Sequence, residues 1–157
     1  MLRHIISSAS DKHLVGIKNT VLRYGENDAA ADFGEEYKTW LSMKERALEH
    51  GYLHEIVSKH VYENKEGVQR KFMDSVEHKK KYKNVLIDDK ELRILQVCIC
   101  DYGGGNKDMV FGHLYPERHS SQGFHTKNED LISFFDEYFD GWFNTLNPRD
   151  KSKINNT

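Results

Sequence analysis

Cysteine and proline are scarce in this 157-residue chain, with two of each. Cys98 and Cys100 stand two apart, which on a strand puts them on one face with Cα atoms roughly 6.6 Å apart, at the edge of disulfide geometry. They read as free buried thiols in a reducing cytosol. No window approaches the ~18 apolar residues of a membrane span, and the opening MLRHIISSASDKH lacks the apolar core of a secretory signal. Charge of one sign is missing too: 23 Lys and Arg face 25 Asp and Glu, a net charge of −2. That removes the field of a broad nucleic-acid or membrane-surface binder. These absences describe a cytoplasmic protein without membrane contact and argue against a nucleic-acid partner. Nine histidines show no zinc spacing, no HExxH is present, and the cysteines do not form CxxC, so no metal or other cofactor is expected.

Aromatic residues are plentiful. Mean hydropathy is −0.76, yet 8 Phe, 8 Tyr and 2 Trp supply large units of burial that a disordered chain would lack. The length suits one domain with a real core, so residues 1–157 are read as a single unit with frayed ends at 1–12 and 148–157.

The chain is organised around Leu92–Glu117. Two apolar, β-rich runs, Leu92–Cys100 and Met109–Tyr115, flank the glycine-dense break DYGGGNKD, which predicts two strands joined by a loop. Both faces of the first run are apolar, as in a strand covered on both sides. Gly103-Gly104-Gly105 matches no phosphate-loop pattern and leads into a strand, so a flexible hairpin is the reading.

Upstream, Leu14–Tyr24 reads as a strand. A helix over 28–50 carries the stripe Phe33, Tyr37, Trp40, Leu41, Ala47 and Leu48, with charges such as Lys44 and Glu45 elsewhere, and Gly51 stands where a left-handed residue would end it. Tyr52–Tyr62 is a strand with Tyr52, His54, Ile56, Ser58, His60 and Tyr62 on one side. A second helix is expected over 67–82, ending in the solvated lysines 79–83, and a short strand over Val85–Ile87 follows. Downstream, Glu117–His125 reads as a polar loop. Thr126 and Glu129 have the spacing of a capping box, and Leu131, Phe134, Phe135, Tyr138, Phe139, Trp142, Phe143 and Leu146 keep helical period up to Asn147-Pro148. The expected fold is therefore a single α/β domain: a mixed sheet of about five strands covered by three helices at 28–50, 67–82 and 127–146, the last long, aromatic and amphipathic.

Polar groups that could converge lie around the end of the 109–115 strand and the loop beyond: His113, Tyr115, Glu117, Arg118, His119, Ser121, His125 and Lys127. Tyr115, Arg118, Ser121 and Lys127 would hold a small anionic ligand. In an enzyme, a histidine from His113, His119 or His125 would be general acid or base, Glu117 its partner, and Arg118 or Lys127 an anion clamp.

A resemblance enters at Val110-Phe111-Gly112, Gln122-Gly123-Phe124-His125-Thr126 and Phe134–Trp142. These phrases, and the order of elements upstream, resemble phospholipase D-like effector or sensor domains of prokaryotic regulators over about two-thirds of the chain. Active members carry H-x-K-x(4)-D twice per site. Here His125 and Lys127 match, Ile132 occupies the place of the acid, and no second copy exists. The resemblance implies a catalytically silent regulatory, sensor or protein-interaction domain. Separately, exposure of Phe135 or Trp142 on the C-terminal aromatic helix would imply a homodimer or heteromeric contact through that helix. The alternative is a hydrolase or nuclease acting on a phosphate-containing substrate. A third reading gives nucleic acid to Arg70, Lys71 and Lys79–Lys83.

Overall fold

The strand that begins the sheet ends up in its middle. β1 (Gly16–Val21) is buried at all six positions, because other strands flank it on both edges and helices cover both faces. A computed structural model describes residues 13–21, 29–59, 80–88, 96–113 and 122–146, without the side chains of 29–37, 113 and 122. Within these residues β1 is followed by α1 (Ala29–His50), β2 (Tyr52–Ser58), β3 (Tyr82–Ile87), β4 (Gln96–Asp101), β5 (Lys107–His113), β6 (Gln122–Thr126) and α2 (Glu129–Leu146). The sheet order is β3-β2-β1-β4-β5-β6. β1, β2 and β3 are parallel; β4 runs antiparallel to β1, and β5 and β6 continue as antiparallel hairpin neighbours.

Alternation along the strands assigns each face its helix. Ile17, Leu53, Tyr82, Cys98, Cys100 and Val110 pack with Trp40, Met43, Ala47 and Leu48 of α1. On the other face, Val97, Ile99 and Met109 meet Ile132 and Phe135 of α2, while Ile56, Val85 and Ile87 meet Phe139 and Phe143. The expectation that 92–100 is apolar on both sides is met in β4. Both thiols are free and buried, and the mutual hydrogen bond and burial raise that of Cys98 well above its ordinary value.

The sheet has six strands, not five. β6 lies largely inside the stretch expected to be a loop, because it is held by backbone pairing with β5 and by the stack of Phe124, 60% exposed, on Phe111 at 5.6 Å, without a buried face of its own. Two helices, not three, stand among the described residues. The expected helix at 67–82 lies outside them up to residue 79. Residues 80–81 form a turn, and Tyr82 already belongs to β3, paired with Leu53. The frayed ends expected at 1–12 and 148–157 also lie outside the described residues. So do Leu92–Leu95, while β5 begins two residues earlier than expected, at Lys107.

Two caps differ from expectation. The N-cap of α2 is Asn128, whose Oδ1 accepts the Leu131 N–H at 2.9 Å; Thr126 instead receives the N–H of Asn128 at 3.1 Å. Gly51 does not have positive φ. It is glycine because the chain passes against β1 there: a Cβ would lie 1.8 Å from the carbonyl oxygen of Val15. The positive φ values belong to Gly103, Gly104 and Gly105, at 79°, 63° and 83°. They close the β4–β5 hairpin, with Tyr102 N–H on Asn106 O at 2.9 Å and Gly103 N–H on Asp101 Oδ1 at 2.8 Å.

Candidate functional site

Strand pairing builds a polar cluster on the α1-side face of the β5–β6 edge. Val110 faces His125 and Met109 faces Thr126, so Asp108, two before Val110, lies diagonal to His125 and opposite Lys127, which follows the last residue of β6. Asp108 is only 3% exposed, and its Oδ2 lies 3.6 Å from His125 Nε2. Its Oδ1 lies 3.9 Å from Lys127 Nζ, and the Tyr102 hydroxyl donates to Oδ2 at 3.3 Å. A buried carboxylate therefore lies within ion-pair distance of a half-exposed imidazole and an exposed ammonium, beyond hydrogen-bond reach of either. Such a set can orient a histidine or hold an anion through the Lys127 ammonium.

A cleft of about 270 Å³ opens beside it, lined by Gly105, Asn106, Lys107, Lys127, Glu129, Ile132 and Ser133. It sits where the glycine hairpin, the end of β6 and the start of α2 meet. Under the helix, Lys107 Nζ and Lys18 Nζ bind the two oxygens of Asp136, at 2.6 and 2.5 Å, and Lys18 also reaches Asp140 at 2.7 Å. Burial alone opposes charge on Asp136 and Lys107. The hydrogen bonds between them outweigh it, holding Asp136 below the usual carboxylate range and Lys107 above the usual ammonium range. Tyr52 donates to Asp101 Oδ2 at 3.1 Å; burial first, then that carboxylate, push its phenol far above the ordinary value.

Of the residues expected to form a site, the structure brings together His125 and Lys127. His113 ends β5 opposite Gln122, three positions along from the partner of His125, roughly 10 Å away along the strand. Tyr115, Glu117, Arg118, His119 and Ser121 lie outside the described residues. Asp108 was missed, because NKD read as the end of a loop; its alternation with Val110 was the available signal. Ile132, at the position of the motif's acid, is 3% exposed and packs with Val97, Ile99, Met109 and Phe135. Among the described residues no group of three or more His, Cys, Asp and Glu could hold a metal ion, and no helix is long and apolar enough to cross a membrane.

No family model matches the chain, and neither does any curated protein. Solved structures do share its fold. TrmBL2, an archaeal chromatin protein whose structure shows a novel mode of DNA binding, aligns with a TM-score of 0.59 at 11% identity. The polyphosphate kinase from Porphyromonas gingivalis aligns with a TM-score of 0.52 at 14% identity. The alignments cover 92% and 89% of this chain, but only 48% of the first protein and 24% of the second. The chain thus spans about half the length of one and a quarter of the other.

These likenesses bear on two expectations. The second bears on the expected α/β architecture alone. The first overturns the inference from net charge that nucleic acid is not a partner: the fold is shared with a DNA-binding protein. An overall charge near zero averages over the surface, and backbone contacts need only a local patch. The interface expected on the last helix does not have the exposed Phe135 it called for. Phe135 is 9% exposed and spent on the core, whereas Phe134 and Tyr138 are the exposed aromatics, at 63% and 40%.

Proposed function

We propose that this chain is a non-catalytic regulatory module of phospholipase D-like fold. The observation that carries this reading is Ile132, an aliphatic side chain packed into the core at the place where the motif of active members has its acid. An ionised carboxylate there would be stripped of water between the sheet and α2, at a cost no described partner offsets. What is left of the motif, His125 and Lys127, lies 3.6 and 3.9 Å from the buried Asp108 of a neighbouring strand. That arrangement supports recognition of an anion through Lys127 better than turnover of one.

The test is an assay with a chromogenic phosphodiester and end-labelled DNA from pH 5 to 8. No hydrolysis above buffer and no covalent phosphate on His125 are the expected results. A phosphoenzyme lost in His125→Ala would establish the alternative hydrolase or nuclease reading instead.

A second reading, contact with a nucleic-acid backbone, is favoured by Lys80 and Lys83, which are exposed at the β3 edge of the sheet. Lys81 is engaged with the Glu49 carbonyl at 2.7 Å, and Arg70, Lys71 and Lys79 lie outside the described residues. Binding of duplex DNA should then weaken by roughly tenfold or more between 50 and 200 mM salt, and Lys80→Ala/Lys83→Ala should flatten that slope by about two contacts. Salt-independent binding, or none at 50 mM salt, removes this reading.

A further inference from the structure

Three basic-type side chains stand in a row across the parallel strands. Lys18 of β1 pairs in register with His54 of β2, and His54 pairs with Lys83 of β3. In-register positions on neighbouring strands point to the same face, here the one that α2 covers. The imidazole lies between two aromatic rings: Tyr52 at 5.0 Å from its own strand, and Phe143 of α2, stacked at 5.3 Å with 22° between planes. Phe143 and Phe139 in turn fill the core over Ile56, Val85 and Ile87. His54 is thus the polar member of the contact that seats the last turns of α2.

The charges facing it come from every described element around it. On its own strand there is the Tyr52 phenol, bound to Asp101 of β4. Lys18 and Lys83 flank it on β1 and β3. Asp136 and Asp140 approach from α2, and both are engaged by Lys18, with Lys107 of β5 on the far oxygen of Asp136. The acids of the helix therefore already answer lysines. A proton on the imidazole would place a third positive charge between two ammonium groups on adjacent strands, where like charges repel.

We propose that the Lys18–His54–Lys83 row is an acid-sensitive latch: protonation of His54 releases the last turns of α2, with Phe139, Trp142 and Phe143, from the sheet. Burial first, then Lys83 and Lys18, hold His54 down to about 4, with Asp140 opposing them. Release returns the imidazole and the ammonium groups beside it to water, which removes the burial cost and screens the lysines, so its value moves back toward the ordinary ~6.5. Between those two values the released form takes up a proton that the docked form refuses. Docking is therefore unaffected above about 6.5 and weakens as pH falls through the interval. This inference is independent of the reading of the His125 cluster.

Amide hydrogen exchange across residues 139–146, converted to opening constants by removing the intrinsic pH dependence, reads the latch directly. The opening constant should rise on the order of 100-fold between pH 7.5 and 4.5, while amides of Trp40–Leu48 in α1 stay level. His54→Phe keeps a ring against Phe143 and should abolish the rise. Lys83→Met removes one flanking charge at an exposed position and should shrink the rise several-fold. A flat profile, an equal rise in α1, or an unchanged rise in either variant overturns the latch.

Discussion

Lys44→Met should lower the unfolding free energy by roughly 3–5 kcal/mol, read from urea denaturation at neutral pH. Glu55 is fully buried in the middle of β2, with no exposed surface. Its Oε1 accepts from Lys44 of α1 at 2.6 Å and from Asn19 of β1 at 3.2 Å, and its Oε2 accepts from the Tyr82 hydroxyl of β3 at 3.0 Å. One carboxylate thus joins three parallel strands and the helix above them. Lys44, itself 5% exposed and 5.2 Å from the centre of the Trp40 ring, is the positive charge in hydrogen-bond contact with it. Taking that charge away leaves an ion in the interior, and methionine fills the space without answering it. Lys44→Met/Glu55→Gln should regain at least about 2 kcal/mol of the loss, since the amide oxygen can still accept from Asn19 or Tyr82. A single variant within about 1 kcal/mol of the parent would show that the pair contributes no more than a surface contact.

Gly51→Ala is the second large effect, at about 3 kcal/mol, or a fall in Tm of roughly 6–12 °C for a chain of this size. The added Cβ would meet the Val15 carbonyl oxygen at 1.8 Å and its carbon at 2.9 Å. Both atoms are backbone. The same oxygen accepts the Tyr52 N–H at 3.2 Å, the bond that starts the parallel pairing of β1 with β2. Retreat from the methyl group therefore costs sheet hydrogen bonds as well as sterics. Gly141→Ala supplies the opposite sign in the same molecule: it lies exposed on α2 with no atom within 4 Å of a Cβ, so alanine should stabilise by about 0.5–1 kcal/mol. A Tm for Gly51→Ala within about 2 °C of the parent would mean that the turn adjusts freely.

How far the sequence could be read depends on whether a feature repeats along the chain or arises across it. The β4–β5 hairpin and α2 were legible, because alternation and a 3.6-residue period are local properties. Even there the apolar stripe of α2 promised more core than exists: Ile132, Phe135, Phe139 and Phe143 are buried, while Phe134 faces out. β6 was not legible, since an edge strand with one apolar residue has no pattern to show. Lys44 read as a charge off the apolar stripe of its helix, because nothing local distinguishes a solvated ammonium from one that meets a carboxylate such as Glu55 under a helix. The site suffered most. Asp108, His125 and Lys127 come together through the β5–β6 register, and a single sequence does not print which residues face each other across strands.

The position of β1 carries a consequence for synthesis of the protein. Thr20 Oγ1 receives the N–H of Val97 at 2.7 Å and donates to its carbonyl at 3.3 Å, across 77 residues of sequence. On the ribosome, at ~5–20 residues per second, the first strand therefore waits roughly 4–15 s for its antiparallel neighbour to be translated. During that wait β2 can cover one side only, and the other backbone edge of a Val- and Ile-containing strand stays open to any nascent strand nearby. The risk of mispairing therefore falls in the interval before β4 is made, and it rises with the local concentration of nascent chains.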